Sequence, residues 1–256
     1  MKKLLYILFL SLAVSSGAIA CYDQKLSNKQ NLANCKAGAE QGNADAQKLL
    51  GLMYVRGRGT PQNDKEAIKW FKKSAAQGNA AAQYFLGNMY EYGLGTPKND
   101  KEAVKWYKKT AAQGGAEAQF NLGVMYANGR GTPQNDKEAV KWYKKAAVQG
   151  GADAQYNLGV MYANGQGTPQ NYKEAVKWFK KSAAQGGAAA QYNLGVMYDR
   201  GRGTPQNFVL AHMYYNLSAA NGYKNAIKNR GSIYKEMTSS QIAEAQLLAQ
   251  EWVDTH

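Results

Sequence analysis

The sequence predicts an all-α protein, an α/α superhelical solenoid of helix-turn-helix repeats with a 36-residue period, about five full units plus caps. Three observations predict it. The five prolines, Pro61, Pro97, Pro133, Pro169 and Pro205, stand 36 residues apart, and there is no other. Around them one frame recurs: Gly57-Arg58-Gly59-Thr60-Pro61 returns as Gly93 to Pro97, Gly129 to Pro133, Gly165 to Pro169 and Gly201 to Pro205. Between these turns each period holds two stretches with apolar residues at helical spacing.

Taken in order, residues 1–20 read as a secretory signal. Lys2 and Lys3 open it, Leu4 to Val14 is apolar, and Ala18-Ile19-Ala20 is a cleavage-type ending. The apolar run is too short to span a bilayer as a helix. Its removal lowers the formal charge from +14 by two lysines to +12. Export favours a disulfide between the two cysteines, Cys21 and Cys35. Cys21 would also be the first mature residue, so a lipid anchor on it, loosely resembling a lipobox at Ala18 to Cys21, stands as the alternative.

Residues 21–42 form an N-terminal cap, with Leu26 to Gly42 a lone second helix that puts Cys35 where Phe71 stands one period later. Residues 43–222 hold the five repeats. In the first, Ala44 to Arg56 places Ala46, Gln47, Leu50, Gly51 and Tyr54 on one face. Asn43 is its N-cap and Gly57 its stop, whereas Gly115, Gly151 and Gly187 are weaker caps in later copies. A helix-interior glycine at Gly51, Gly87, Gly123, Gly159 and Gly195 costs about 1 kcal/mol each and implies a close neighbour. The second helix, Asp64 to Gln77, starts at Asn63 with Glu66 three residues on, like a capping box. It sets Ala67, Trp70, Phe71, Ser74 and Ala75 opposite Lys65, Lys69, Lys72 and Lys73. Residues 223–256 cap the C-terminal end with helices at Asn225 to Lys235 and Ser239 to Trp252, the latter opened by Thr238-x-x-Gln241.

Leu50-Gly51, Tyr54, Gly57-x-Gly59, Ala67, Trp70-Phe71 and Ala75-Ala76-Gln77-Gly78 resemble the Sel-one-like repeat, a relative of the tetratricopeptide repeat. The resemblance runs from Cys35 to Gly222, departing at Thr60 and at Tyr214, which replaces the tryptophan of the fifth unit. It implies a scaffold or adaptor fold whose first helices line a groove, where asparagine rows hold an extended peptide. The candidate partner-binding groove is therefore Tyr84, Phe120, Asn121, Tyr156, Asn157, Tyr192 and Asn193. The alternative is that these aromatics pack between hairpins and the asparagines face water. Paired positions that differ between copies, Val55-Arg56, Glu91-Tyr92, Ala127-Asn128, Ala163-Asn164 and Asp199-Arg200, are a second place for partner specificity.

Catalytic chemistry is sparse. Only His212 and His256 occur, too few for a histidine triad or metal cluster, and no cofactor is expected. Ser232-Ile233-Tyr234-Lys235 matches the S-x-x-K of penicillin-recognising enzymes without its companion motifs. Sixteen lysines recur on the second helices, at 65, 69, 72, 73 and the same offsets in the next three units. They read as a solvated outer face, with an anionic envelope component as the alternative ligand.

The expectation is an exported, periplasmic or secreted, monomeric, non-catalytic scaffold that binds a protein. Nucleic acid is not expected, nor a transmembrane helix in the mature chain. An envelope inhibitor or immunity protein that neutralises an effector or wall hydrolase is the alternative, and a β-lactam- or peptidoglycan-acting hydrolase using Ser232 and Lys235 the remote one.

Overall fold

The structure, a computed structural model, describes residues 21–255. Residues 1–20, expected as a secretory signal, and His256 lie outside the described residues. Thirteen helices and no strand occur among the residues described. They are α1 (Asn28–Glu40), α2 (Ala44–Arg56), α3 (Asp64–Ala76), α4 (Ala80–Tyr92), α5 (Asp100–Ala112), α6 (Ala116–Asn128), α7 (Asp136–Val148), α8 (Ala152–Asn164), α9 (Tyr172–Ala183), α10 (Ala188–Asp199), α11 (Phe208–Ala220), α12 (Lys224–Tyr234) and α13 (Ser239–Thr255). The fold is a helical solenoid of repeats of about 36 residues. It divides into two compact units, with the boundary inside α5 after Lys109.

In the first unit, α1 packs on α2, α2 on α3 and α3 on α4. In the second, the hairpins α6–α7, α8–α9 and α10–α11 stack in series, and both α12 and α13 pack on α11. The second helix of the first repeat ends at Ala76 rather than Gln77, because Gln77 turns to a new task. Its Nε2 donates to the Gly42 carbonyl and to Gln47 Oε1, both at 2.9 Å.

That bond explains the recurring Ala-Gln pair. Gln47 is buried and donates to the Ala39 carbonyl at the end of the preceding helix. The second unit repeats the arrangement. Gln119 donates to Ala111 and Gln155 to Ala147, while Gln149 and Gln185 donate back to their oxygens. Each buried amide is thereby satisfied on both its nitrogen and its oxygen, as burial requires. In the fifth repeat Asn221 takes over the donor role toward Gln191.

The helix-interior glycine has an equally local cause. A Cβ on Gly51 would lie 2.6 Å from the Phe71 ring, and one on Gly159 would lie 2.6 Å from the Phe179 ring. The neighbour is thus the aromatic of the repeat's own second helix, laid across the first helix where it lacks a side chain.

Caps follow two patterns. Ser27 with Gln30 and Thr238 with Gln241 form reciprocal capping boxes. Asn63 caps α3 by accepting from the Glu66 amide, but Glu66 turns outward to Lys69, so the expected box is one-sided. At the N-terminal edge Cys21 and Cys35 form a disulfide with Cα atoms 4.6 Å apart. Residues 21–26 lie where a first helix would stand, and the buried Asn31 donates to the carbonyls of Asp23 and Leu26.

Candidate partner-binding surface

From the second repeat to the fifth, each first helix presents an aromatic at one slot, and each rests on the ring of its own second helix. Tyr84 lies 5.9 Å from Tyr107 in the first unit. In the second, Phe120 lies 5.9 Å from Tyr143, Tyr156 lies 6.0 Å from Phe179, and Tyr192 lies 5.8 Å from Tyr215. All four pairs are tilted, a favourable aromatic geometry, and the outer rings remain half-buried. The surface is therefore rigid, and the aromatics both pack and show a face to solvent.

The asparagines are more than a wetted row. Asn193 reaches the Tyr156 phenol, whose pKa is raised mainly by burial and then by Tyr223, with Asn193 acting in the opposite sense. Asn229 continues the row one period after Asn193. It donates to the hydroxyls of Tyr192 at 3.2 Å and Tyr215 at 3.3 Å. Asn157 stands in the same register to Phe120, which has no hydroxyl to offer, and is half-buried. Asn121 is likewise half-buried. Sequence reading missed Asn229 because the Leu and Gln of the frame are lost around it, although adding one period to Asn193 would have found it.

Between the fourth and fifth repeats, within the second unit, this surface opens into a cleft of about 340 Å³. Tyr156, Val160 and Asn164 form one wall, Asn193 and Val196 the other, and Tyr172 and Arg202 the rim. The Arg202 guanidinium lies 5.5 Å from the Tyr172 ring, and Gln170 donates to the Tyr172 hydroxyl and the Ala163 carbonyl. Amides, aromatic faces and one cation converge there without a carboxylate on the lining. Such a site suits a polypeptide, whose backbone needs both donors and acceptors.

Two of the variable positions turn inward. Glu91 is buried, and its Oε2 lies 2.6 Å from the Tyr107 hydroxyl, which also meets Asn88 at 2.6 Å. Asp199 meets the Tyr215 hydroxyl at 3.4 Å. Where the second-helix ring is Phe71 or Phe179, the matching residue is Val55 or Ala163. At Glu91 and Asp199 the first member of the variable pair therefore meets the second-helix hydroxyl of its own repeat. Tyr143 pairs with Ala127 and keeps no acid beside it; burial alone pushes its phenol up to about 12.

We expect Tyr107→Phe to cost about 1–3 kcal/mol, because the Glu91 carboxyl loses a buried donor. Adding Glu91→Ala should recover part of that loss by recreating the Phe179–Ala163 combination, a non-additivity that urea denaturation of the single and double variants measures.

The second helices carry the charge. All sixteen recurring lysines are exposed. Lys69, Lys105, Lys141 and Lys177 pair with Glu66, Glu102, Glu138 and Glu174. Lys73, Lys109, Lys145 and Lys181 lie over the Trp70, Trp106, Trp142 and Trp178 rings at 4.3, 4.4, 4.5 and 5.0 Å. Within each unit the face is thus partly neutralised and held by its own tryptophans.

Ser232 and Lys235 lie at the exposed end of α12, where the serine hydroxyl donates to the Lys228 carbonyl at 3.2 Å. His212 is buried, and its pKa is lowered by burial and by Arg230. No cluster of three or more His, Cys, Asp or Glu that could hold a metal occurs among the described residues.

The Sel1 repeat model matches residues 44–79, 80–115, 116–151, 152–187 and 188–223. The structure is similar to that of a Sel1 repeat protein from Oxalobacter formigenes, at 34% identity and TM-score 0.72, over 89% of this chain and 90% of that one. It is also similar to c5321, a protective antigen present in uropathogenic Escherichia coli strains that displays an SLR fold. That match has 29% identity and TM-score 0.59, over 89% of this chain and 57% of the antigen. The curated proteins contain no match to the sequence.

Proposed function

The chain belongs to the Sel1 repeat family, and on that premise we propose that it is an exported, non-catalytic adaptor that holds another protein in the cell envelope or outside the cell. Repeats of this family mediate protein–protein interaction. The observation that carries the reading is the cleft between the fourth and fifth repeats, where Tyr156, Asn164, Asn193 and Arg202 meet on a rigid aromatic floor. An extended segment of the partner lies along the first helices, with Asn157 available to its backbone. The lysine face serves as a solvated surface. Export rests on the leader-like residues 1–20, and no helix among the described residues is long and apolar enough to cross a membrane.

Affinity capture from envelope extract tests this reading with three baits: the mature chain, an Asn157→Ala/Asn193→Ala/Arg202→Ala variant, and a variant with the sixteen lysines changed to glutamine. The triple variant should lose its partner by at least about tenfold, the order expected when central contacts of an interface are removed, and the glutamine variant should keep it. Capture that survives the triple variant and fails with the glutamine variant overturns the assignment.

A further inference from the structure

The helix α12 is the first helix of a sixth unit whose second helix is missing from its usual place. Ala226, Asn229, Gly231 and Tyr234 fall one period after Ala190, Asn193, Gly195 and Tyr198. In the fifth repeat the matching face is closed by α11: the Tyr215 ring would lie 2.5 Å from a Cβ on Gly195, and Tyr198 is 6% exposed. On α12 the same face is open. Ile227 is 55% exposed, Tyr234 is 54% exposed, and a Cβ on Gly231 would meet nothing within 4 Å. The chain that follows does not fill the place, because α13 packs on α11, with Trp252 edge-on to Tyr214 at 5.6 Å.

Charge says what would fit. Lys224, Lys228 and Lys235 border the open face, all exposed, and α12 carries no acidic residue. Their counterparts in the fifth repeat, Ala188, Tyr192 and Asp199, are the residues that touch α11. A second copy of this chain is a poor occupant, because α3, α5, α7 and α9 each bring four lysines.

We propose that α12 is a docking seat for an acidic amphipathic helix of another protein, which completes the sixth hairpin by laying an aromatic ring over Gly231 and carboxylates against Lys224, Lys228 and Lys235. This is helix-in-groove recognition with the register set by the repeat itself. The seat lies outside the cleft between the fourth and fifth repeats, so either site can fail without the other.

Fluorescence anisotropy tests it with a defined probe, a helix-stapled peptide of the α7 sequence Asp136–Val148 with its four outward lysines changed to glutamine, Val140 and Ala146 beside the ring changed to glutamate, and Tyr143 kept. The mature chain should bind the peptide. Gly231→Leu, which fills the ring position, and the separate Lys224→Glu/Lys228→Glu/Lys235→Glu variant should each weaken binding by about tenfold or more, as should Tyr143→Ala in the peptide. Glutamine at Lys173, Lys177, Lys180 and Lys181 should change it by less than about twofold, since exposed charges remote from a contact contribute little. Absence of binding, or binding lost with the α9 lysines and kept in both α12 variants, overturns the proposal.

Discussion

Gly167→Ala is expected to destabilise the chain by about 3 kcal/mol, the sum of a left-handed backbone cost of about 1–2 kcal/mol and an overpacking cost of about 1–3 kcal/mol. Gly167 is the second glycine of the fourth repeat's turn, with φ of +66°. Its Cα faces the first turn of α7 in the preceding repeat, and a Cβ there would lie 2.2 Å from the Asp136 carbonyl oxygen. Backbone cannot rotate away as a ring can, and Asn135 anchors that turn by accepting from the Glu138 amide. Gly159→Ala, whose Cβ would meet the Phe179 ring at 2.6 Å, should cost less for that reason. Urea denaturation measures both. A Gly167→Ala loss under about 1 kcal/mol would mean that successive repeats do not stack this closely.

Removing the disulfide with Cys21→Ser/Cys35→Ser should cost a similar amount, about 3 kcal/mol for a loop of this length in the chain-entropy description. The effect should be local to the first unit. Cys35 occupies the slot of the second-helix ring, and the linked segment covers a helix face that has no first helix to bury it. Hydrogen exchange should accelerate in α1 and α2 first, because an array unravels from an uncapped end. An unchanged urea midpoint would remove the segment's capping role. Intact mass checks the same bond under the proposed export: it should show the oxidised chain from Cys21 without an acyl addition, whereas a diacylglyceryl mass would establish the lipid anchor.

Much of the fold was legible because a repeat states its rules several times. The helix pairs, the glycine-proline turns and the Asn N-caps at Asn63, Asn135 and Asn171 are local signals, and each recurs. Pairings across helices were harder to read. The match of Glu91 to Tyr107 depends on which residues two helices bring face to face, and helical angle alone does not supply that. The Ala-Gln pair was visible, but its function required Gln47, Gln77 and two backbone carbonyls to meet in space. For α13 the apolar stripe at Ala245, Ala249 and Trp252 was plain; its choice of α11 over α12 was not, since periodicity gives a buried face and not the neighbour that buries it.

The candidate surface was legible in outline and incomplete in meaning. Tyr84, Phe120, Tyr156 and Tyr192 share one packing geometry, as a common slot should. Within their row, Asn193 and Asn229 are engaged with tyrosine hydroxyls, whereas the position matching Tyr156 and Tyr192 one period before Asn157 is Phe120, which has no hydroxyl. The proposed recognition centres on positions where the frame is free to vary, such as Asn164 and Arg202 on the lining of the cleft.

Site-directed photo-crosslinking in the native envelope tests that claim most directly. A photoreactive residue at Asn164, on the cleft, should give a discrete protein adduct that Asn193→Ala/Arg202→Ala diminishes, and one at Lys144, on the lysine face, should give none. Adducts at Lys144 with none at Asn164 would place the partner on the charged face and contradict the account.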